Sequence, residues 1–321
     1  MVRYIVSILI VFFLASCGSS DSSRLDTTDE VVNGKTLGTW ILSTSSFDDV
    51  NTSQNVVFAN LANRGIKHID QLISFELLMD NSYRVANEDK LMDFIEVARN
   101  EGIRVNLLIN DRELFNGVNY EDSMKKVETI IDFNNNLALA KGVKILGIKF
   151  RVDLERSAGW AQSSGDAVYN YLYFLYQAKA KIAREGASLL ISVDVDDAWD
   201  SGSYAVSFNH KDKNFTYHII DIVDYITVLS FSREVGGVMA LIEDELQYLR
   251  EEQLTYRIVP SLAISPIENS SDTFYGVNDG GTLFWATLNA LQKELESDIR
   301  VPMIMIENFG YFDQIPPVPA N

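Results

Sequence analysis

Gly147-Ile148-Lys149-Phe150-Arg151-Val152-Asp153-Leu154-Glu155 is the stretch on which the fold of this chain turns. Successive side chains of a strand point to opposite faces. Ile148, Phe150 and Val152 therefore share one face, and Lys149, Arg151, Asp153 and Glu155 share the other. The apolar face suits packing under helices, while the charged face calls for the lumen and mouth of a barrel. The next β-branched run repeats the pattern, with Ile191, Val193 and Val195 outward and Ser192, Asp194 and Asp196 inward. Laid side by side, the two strands set Lys149 and Arg151 against Asp194 and Asp196. A buried charge without a partner is costly, so the expectation is an ion-pair network inside the barrel.

Working outward, helical periodicity flanks this strand over Glu121–Lys141 and Ala167–Arg184. Short β-branched runs continue the alternation at Thr36–Ser43, Ile66–Ile73, Val105–Asn110, Val143–Asp153, Ser188–Val195, Tyr225–Ser230, Arg257–Ala263 and Val301–Ile306. Further helices are expected over Ser53–Arg64, Glu88–Asn100, Phe215–Val223, Val235–Glu252 and Thr282–Glu296. Asn87 stands as a cap before Glu88 and Asp89, and Gly102, Gly142 and Gly186 follow helix ends. Strand followed by helix, seven times over, demands parallel strands with right-handed crossovers. Eight strands in this length close most economically into an α/β fold, the (β/α)8 TIM-type barrel. A doubly wound open sheet is the alternative, but no GxGxxG turn follows the first strand. The final helix is expected to be missing, because Pro316-Pro317-Val318-Pro319 cannot form one.

At the N-terminus, Arg3, the apolar run Tyr4–Leu14 and Leu14-Ala15-Ser16-Cys17 have the order of an export signal, too short to span a bilayer. The segment resembles the lipobox of bacterial lipoproteins, which implies lipidation of Cys17, the only cysteine in the chain. The organisation expected is a signal peptide over 1–17, a flexible Ser-, Asp- and Thr-rich tether over 18–34, the barrel over 35–312 and a Pro-rich tail over 313–321. As a flexible coil the tether averages roughly 20 to 24 Å end to end. The expected location is the cell envelope, anchored through the lipid on Cys17. The resemblance to bacterial lipoproteins also implies, from Gly18 where an aspartate would favour inner-membrane retention, delivery to the outer membrane if the cell is Gram-negative.

With Cys17 consumed, the exported domain has no disulfide, cysteine nucleophile or thiolate site. The net charge of −18 repels nucleic acid and anionic headgroups. His68, His210 and His218 give no HExxH spacing, and no stretch has the EF-hand pattern, so neither a metal nor a cofactor is expected.

Chemistry in such a barrel sits at the C-terminal strand ends and the loops after them. Those positions hold Asp48, Asp49, Asp111, Glu113, Asp153, Glu155, Asp194, Asp196, Asp197, Arg233, Glu234, Glu307 and Asn308. Glycoside hydrolysis needs a proton donor and a second carboxylate, which Asp153, Glu155 and Glu307 can supply as the catalytic candidates. Asp194, Asp196, Trp160, Trp199, Arg233 and Tyr311 are the substrate-binding candidates, the aromatics for stacking on sugar rings. Each of these has a bland reading as well, Asp194 as a counter-ion and the aromatics as packing.

Two family resemblances follow from these residues. The fourth strand is similar to the Asp-x-x-Asp-x-Asp-x-Glu strand of chitinase-like glycoside hydrolases, with Ile148, Arg151, Asp153 and Glu155 at the matching positions. That register implies Glu155 as the acid and Asp153 as its partner. The chain also resembles poorly characterised glycosidase-like bacterial barrels, whose strand reads Gly-Ile-His-Leu-Asp-Val-Glu-Pro with a Trp beyond. Here the gapless match is Gly147 to Leu154, then Trp160, and Val223-Asp224-Tyr225-Ile226-Thr227-Val228-Leu229-Ser230-Phe231 and Thr273-Phe274-Tyr275-Gly276 match as well. In that register their Asp is Arg151 and their Glu is Asp153.

The leading expectation is therefore a membrane-anchored glycoside hydrolase. The alternatives are a catalytically degenerate barrel that binds saccharide or an envelope polymer, and a structural or interaction lipoprotein. The partners expected are a carbohydrate or polysaccharide and the membrane, with no nucleic acid. The hydrolase reading requires Asp153 and Glu155 to be open to solvent in a groove.

Overall fold

The structure, a computed structural model, describes residues 35–44, 57–58, 60–61, 63–112, 114, 120–266, 271–277, 280–312 and 315. Cys17, the signal peptide, the tether, Asp48, Asp49, Glu113 and the proline run 316–319 lie outside them, as does part of the helix expected over Ser53–Arg64.

In chain order the strands are β1 (Thr36–Ile41), β2 (Ile66–Leu72), β3 (Phe75–Leu77), β4 (Tyr83–Val85), β5 (Arg104–Asn110), β6 (Gly147–Arg151), β7 (Leu190–Val195), β8 (Val206–Phe208), β9 (Lys211–Lys213), β10 (Tyr225–Val228), β11 (Ile258–Ala263) and β12 (Met303–Glu307). Eight of them close into a barrel in the order β1-β12-β11-β10-β7-β6-β5-β2, every pair parallel. These are the eight strands expected from the sequence. The remaining four form two antiparallel hairpins, β3 with β4 and β8 with β9, inserted after β2 and β7.

The helices are α1 (Glu88–Asn100), α2 (Tyr120–Lys141), α3 (Ala158–Gln162), α4 (Ser164–Arg184), α5 (Phe215–Ile222), α6 (Val235–Leu241), α7 (Glu243–Glu251), α8 (Gly280–Leu295) and α9 (Phe309–Phe312). The single helix expected over Val235–Glu252 is broken at Ile242. After β12 the one-turn α9 stands where a full eighth helix would close the outer ring. Among the described residues, no helix is long and apolar enough to cross a membrane.

Two apolar layers result from the alternation. Outside the barrel, Ile148 and Phe150 of β6 and Ile191, Val193 and Val195 of β7 join the helix faces in one core. Phe150 meets Phe174 of α4 edge-on at 5.2 Å. Burying each such side chain contributes about 1.5–3 kcal/mol relative to exposure. Inside, Trp40, Leu108, Leu190, Tyr225, Val259, Met303 and Met305 form a smaller cluster around the charged residues. Gly147 permits a close strand approach, since a Cβ there would sit 2.3 Å from the Leu190 carbonyl oxygen.

Candidate functional site

The inward faces of β1, β2, β5, β6, β7, β10 and β12 carry one polar network. The Lys149 ammonium is fully buried, 2.7 Å from Asp194 Oδ1 and 3.8 Å from Asp70 Oδ2, and it donates to Thr227 Oγ1 at 2.5 Å. Trp40 Nε1 donates to Asp194 Oδ2 at 3.1 Å. Deeper in the lumen, Asp70 Oδ1 lies 2.8 Å from His68 Nε2 and accepts from Asn106 Nδ2 at 2.8 Å, and Asn106 also donates to the Tyr225 hydroxyl at 2.6 Å. Burial pushes the Asp70 carboxyl up, but Lys149 and His68 outweigh it and hold it below its ordinary value. Burial dominates at Asp194 and raises its carboxyl against the pull of Lys149 and Arg151.

Above this layer, Arg151 is the last residue of β6, with its side chain 22% exposed. Its Nη2 donates to Glu307 Oε1 at 2.7 Å, and its Nε lies 4.0 Å from Asp194 Oδ2. Burial opposes the charge, yet Glu307 and Asp194 outweigh it and hold the guanidinium above its ordinary pKa.

Arg151 forms the floor of a groove of about 440 Å³ at the barrel mouth, with Asn110, Asp153, Glu155, Asp196 and Trp199 around it. Asp153 and Glu155 are both exposed. Asp153 pairs with Arg156 at 3.3 Å. Glu155, in a one-turn helix over Leu154–Arg156, accepts from the Tyr204 hydroxyl at 2.5 Å. The Tyr204 ring lies 5.7 Å from that of Trp160 at an interplanar angle of 30°. Burial first, then Glu155 and Asp196, push the Tyr204 hydroxyl up to about 12. Glu155 therefore sits beside this ring pair. A second groove of about 440 Å³, lined by Tyr176, Lys179, Phe208 and His218, lies away from the mouth, between α4 and α5.

The structure gathers Asp153, Glu155, Asp194 and Asp196 at one groove and ties Glu307 to it through Arg151. Several positions differ from the expectation. Asp196 pairs with neither Lys149 nor Arg151; its Oδ1 accepts from the Ala198 backbone N–H at 3.0 Å and so caps the following turn. Its place as Arg151's partner is taken by Glu307, because a closed barrel brings β12 across from β6. Asp194, expected to touch substrate, is buried and engaged by Lys149 and Trp40. Trp199 is only 3% exposed and packs on Phe215 and Tyr171, at 5.1 and 6.4 Å, so it offers no open ring face to a sugar. Arg233 donates to the Ser271 carbonyl and Tyr311 packs edge-on against Tyr275, and neither lines the groove.

Tyr204, Asn110 and Arg156 join the site without having been expected. Tyr204 ends a one-turn helix in an irregular segment, which has no periodicity to read. His68 and Asp70, by contrast, share a face at spacing two, a signal as plain as that of Lys149 and Arg151.

No protein-family model matches the chain, and no curated protein matches it. Among solved structures the chain is similar to a GH18 chitinase from Pseudoalteromonas aurantia, at 11% identity and TM-score 0.55 over 85% of this chain and 93% of that one. It is similar to a GH18 chitinase from Cycas revoluta in complex with allosamidin, at 12% identity and TM-score 0.56 over 87% and 96%. It is also similar to a chitinase from Bacteroides thetaiotaomicron, at 14% identity and TM-score 0.51 over 86% and 90%. At these identities the likeness is one of fold: the chain is a closed (β/α)8 barrel similar in fold to those of the chitinases.

Proposed function

We propose that this chain is a saccharide-binding barrel without hydrolytic chemistry, tethered in the cell envelope through a lipid on Cys17. The observation that carries this reading is Arg151, fixed at the groove floor by Glu307 at 2.7 Å. Glycoside hydrolysis passes through a transition state with positive charge on the sugar, served by two carboxylates. A guanidinium at the floor opposes that charge and cannot accept a proton near neutral pH. Of the carboxylates nearby, Asp194 and Glu307 are spent on Lys149 and Arg151, and Asp153 on Arg156. Asp153 and Glu155 are exposed in the groove, as hydrolysis requires of them, so the reading rests on Arg151 and not on their accessibility.

Binding needs less than this. An open polar groove with donors from Arg151 and Asn110 suits the hydroxyls of a sugar, and Tyr204, stacked near Trp160, adjoins it through its bond to Glu155, although neither ring lines the groove. The fold likeness to chitinases, several of them solved with bound N-acetylglucosamine oligomers or allosamidin, makes an oligosaccharide the natural occupant.

The test is to incubate the purified chain with chitin oligosaccharides and a panel of bacterial and algal polysaccharides. The reading expects retention of at least one glycan with no new reducing ends. Release of reducing ends that disappears in Glu155→Gln would instead establish a hydrolase.

A further inference from the structure

We infer that the second groove, between α4 and α5, is a ligand site for a small carboxylate with a flat aromatic body. It stands apart from the saccharide reading, since the two grooves share no lining residue.

The β8–β9 hairpin builds one wall. Its two-residue turn, Asn209-His210, has φ of 49° and 62°, a geometry that matches the twist of the flanking strands and fixes their register. Phe208 stands directly opposite Lys211 in that register, and residues opposed across an antiparallel pair project to the same side. The apolar ring and the ammonium therefore reach the groove together. Tyr176 of α4 meets the Phe208 ring edge-on at 6.4 Å, and His218 of α5 meets it edge-on at 5.9 Å. His218 is only 3% exposed, and its Nε2 donates to the Val206 carbonyl at 3.0 Å, which ties α5 to the hairpin. On α4, Ala180 and Ala183 share a face, and their small side chains leave the space of about 440 Å³ open.

Charge selects the other end of the ligand. In a chain of net charge −18, this groove holds an unmatched cation. Lys179 pairs with Asp224, while Asp221 pairs with Lys213 at 2.8 Å and accepts from the Tyr248 hydroxyl at 2.7 Å. Lys211 is left over, for among the described residues no carboxylate pairs with it. Its neighbour Asp212 opposes Ser207 and so projects to the other side of the hairpin. An apolar cleft with one convergent polar group is how small-molecule sites are built. The ring-lined walls take an aromatic body by edge-to-face contact, and Lys211 takes a carboxylate by a charge-assisted hydrogen bond. A sugar would bring its hydroxyls to Phe208, Ala180 and Ala183, which cannot pair them, and Lys211 repels a cation.

Titration of the purified full-length chain with trans-cinnamate, cinnamamide, glucuronate and hexanoate, followed through the NMR ring signals of His68, His210 and His218, tests this. Cinnamate is expected to move the His218 signal, to leave that of His68 in the barrel lumen in place, and to bind at least about tenfold more tightly than the other three. Lys211→Gln is expected to bring cinnamate down to the level of the amide. Ala180→Leu, at an exposed position on α4 where leucine suits the helix, is expected to abolish binding with the urea midpoint unchanged. Cinnamamide binding as tightly as cinnamate would remove Lys211 from the site and overturn the inference. Glucuronate or hexanoate binding as tightly would overturn the aromatic assignment. Cinnamate affinity unchanged in Ala180→Leu, or a His218 signal that cinnamate does not move at its solubility limit, would overturn the site itself.

Discussion

At the centre of the barrel the Lys149 ammonium has no exposure and stands between Asp194 at 2.7 Å and Asp70 at 3.8 Å. Removing one partner from a buried ion pair leaves an uncompensated charge, which is worse than removing both. Lys149→Met is therefore expected to cost about 3–5 kcal/mol, read as a lower urea midpoint, and a second change, Asp194→Asn, should return part of that loss.

Glu245 of α7 is a different case. It is fully buried, both its carboxylate oxygens lack a partner, and burial, with Asp200, Asp244 and Asp197 nearby, pushes its carboxyl up to about 8. A group raised in the folded state contributes stability that is complete below its unfolded value and is lost as pH rises through the folded one. Between about pH 4.5 and 8 the wild type should therefore lose ground to Glu245→Gln. Denaturation midpoints of the two proteins at several pH values check this, and a constant difference across that window would contradict it. At this scale the sequence was partly legible. Lys149, Arg151 and Asp194 could be placed by strand alternation alone, but their pairing depends on which strands meet across the lumen, and Glu307 reaches Arg151 only because the barrel closes.

Among the elements, β6 and β7 are held together where Gly147 pairs with Leu190. A Cβ at Gly147 would come within 2.3 Å of the Leu190 carbonyl oxygen and 2.9 Å of its carbon, and backbone cannot swing aside as a side chain can. Gly147→Ala is expected to cost about 1–3 kcal/mol, again by denaturation, and to weaken glycan retention, since β6 carries Arg151 to the groove floor.

The barrel strands were readable because one face of each packs under helices and the other faces a polar lumen, a period of two that no helix shares. The β3–β4 and β8–β9 hairpins were not, with three residues per strand leaving too little pattern to detect. Nor does a proline or glycine mark the break at Ile242, where α6 gives way to α7. The irregular turns after β7 deliver Tyr204 to Glu155, so part of the groove was hidden in a segment without periodicity.

For the molecule as a whole, the parallel barrel has two unlike ends. The groove lies at the C-terminal ends of the strands, and Lys35 enters β1 at the opposite end. The proposed lipid on Cys17 would therefore reach the barrel from the end opposite the groove. If the proposed anchoring holds, Cys17→Ser is expected to move the protein from the membrane fraction to the soluble one without changing glycan retention, as fractionation and pull-down would show.

The central claim is that the mouth of this barrel holds a sugar and leaves its bonds intact. A crystal structure of the chain soaked with a chitin tetramer tests it most directly. The account predicts an unbroken oligosaccharide over Arg151, with the Arg151–Glu307 pair retained. Cleaved sugar in the groove, or an empty groove at saturating ligand, would contradict it.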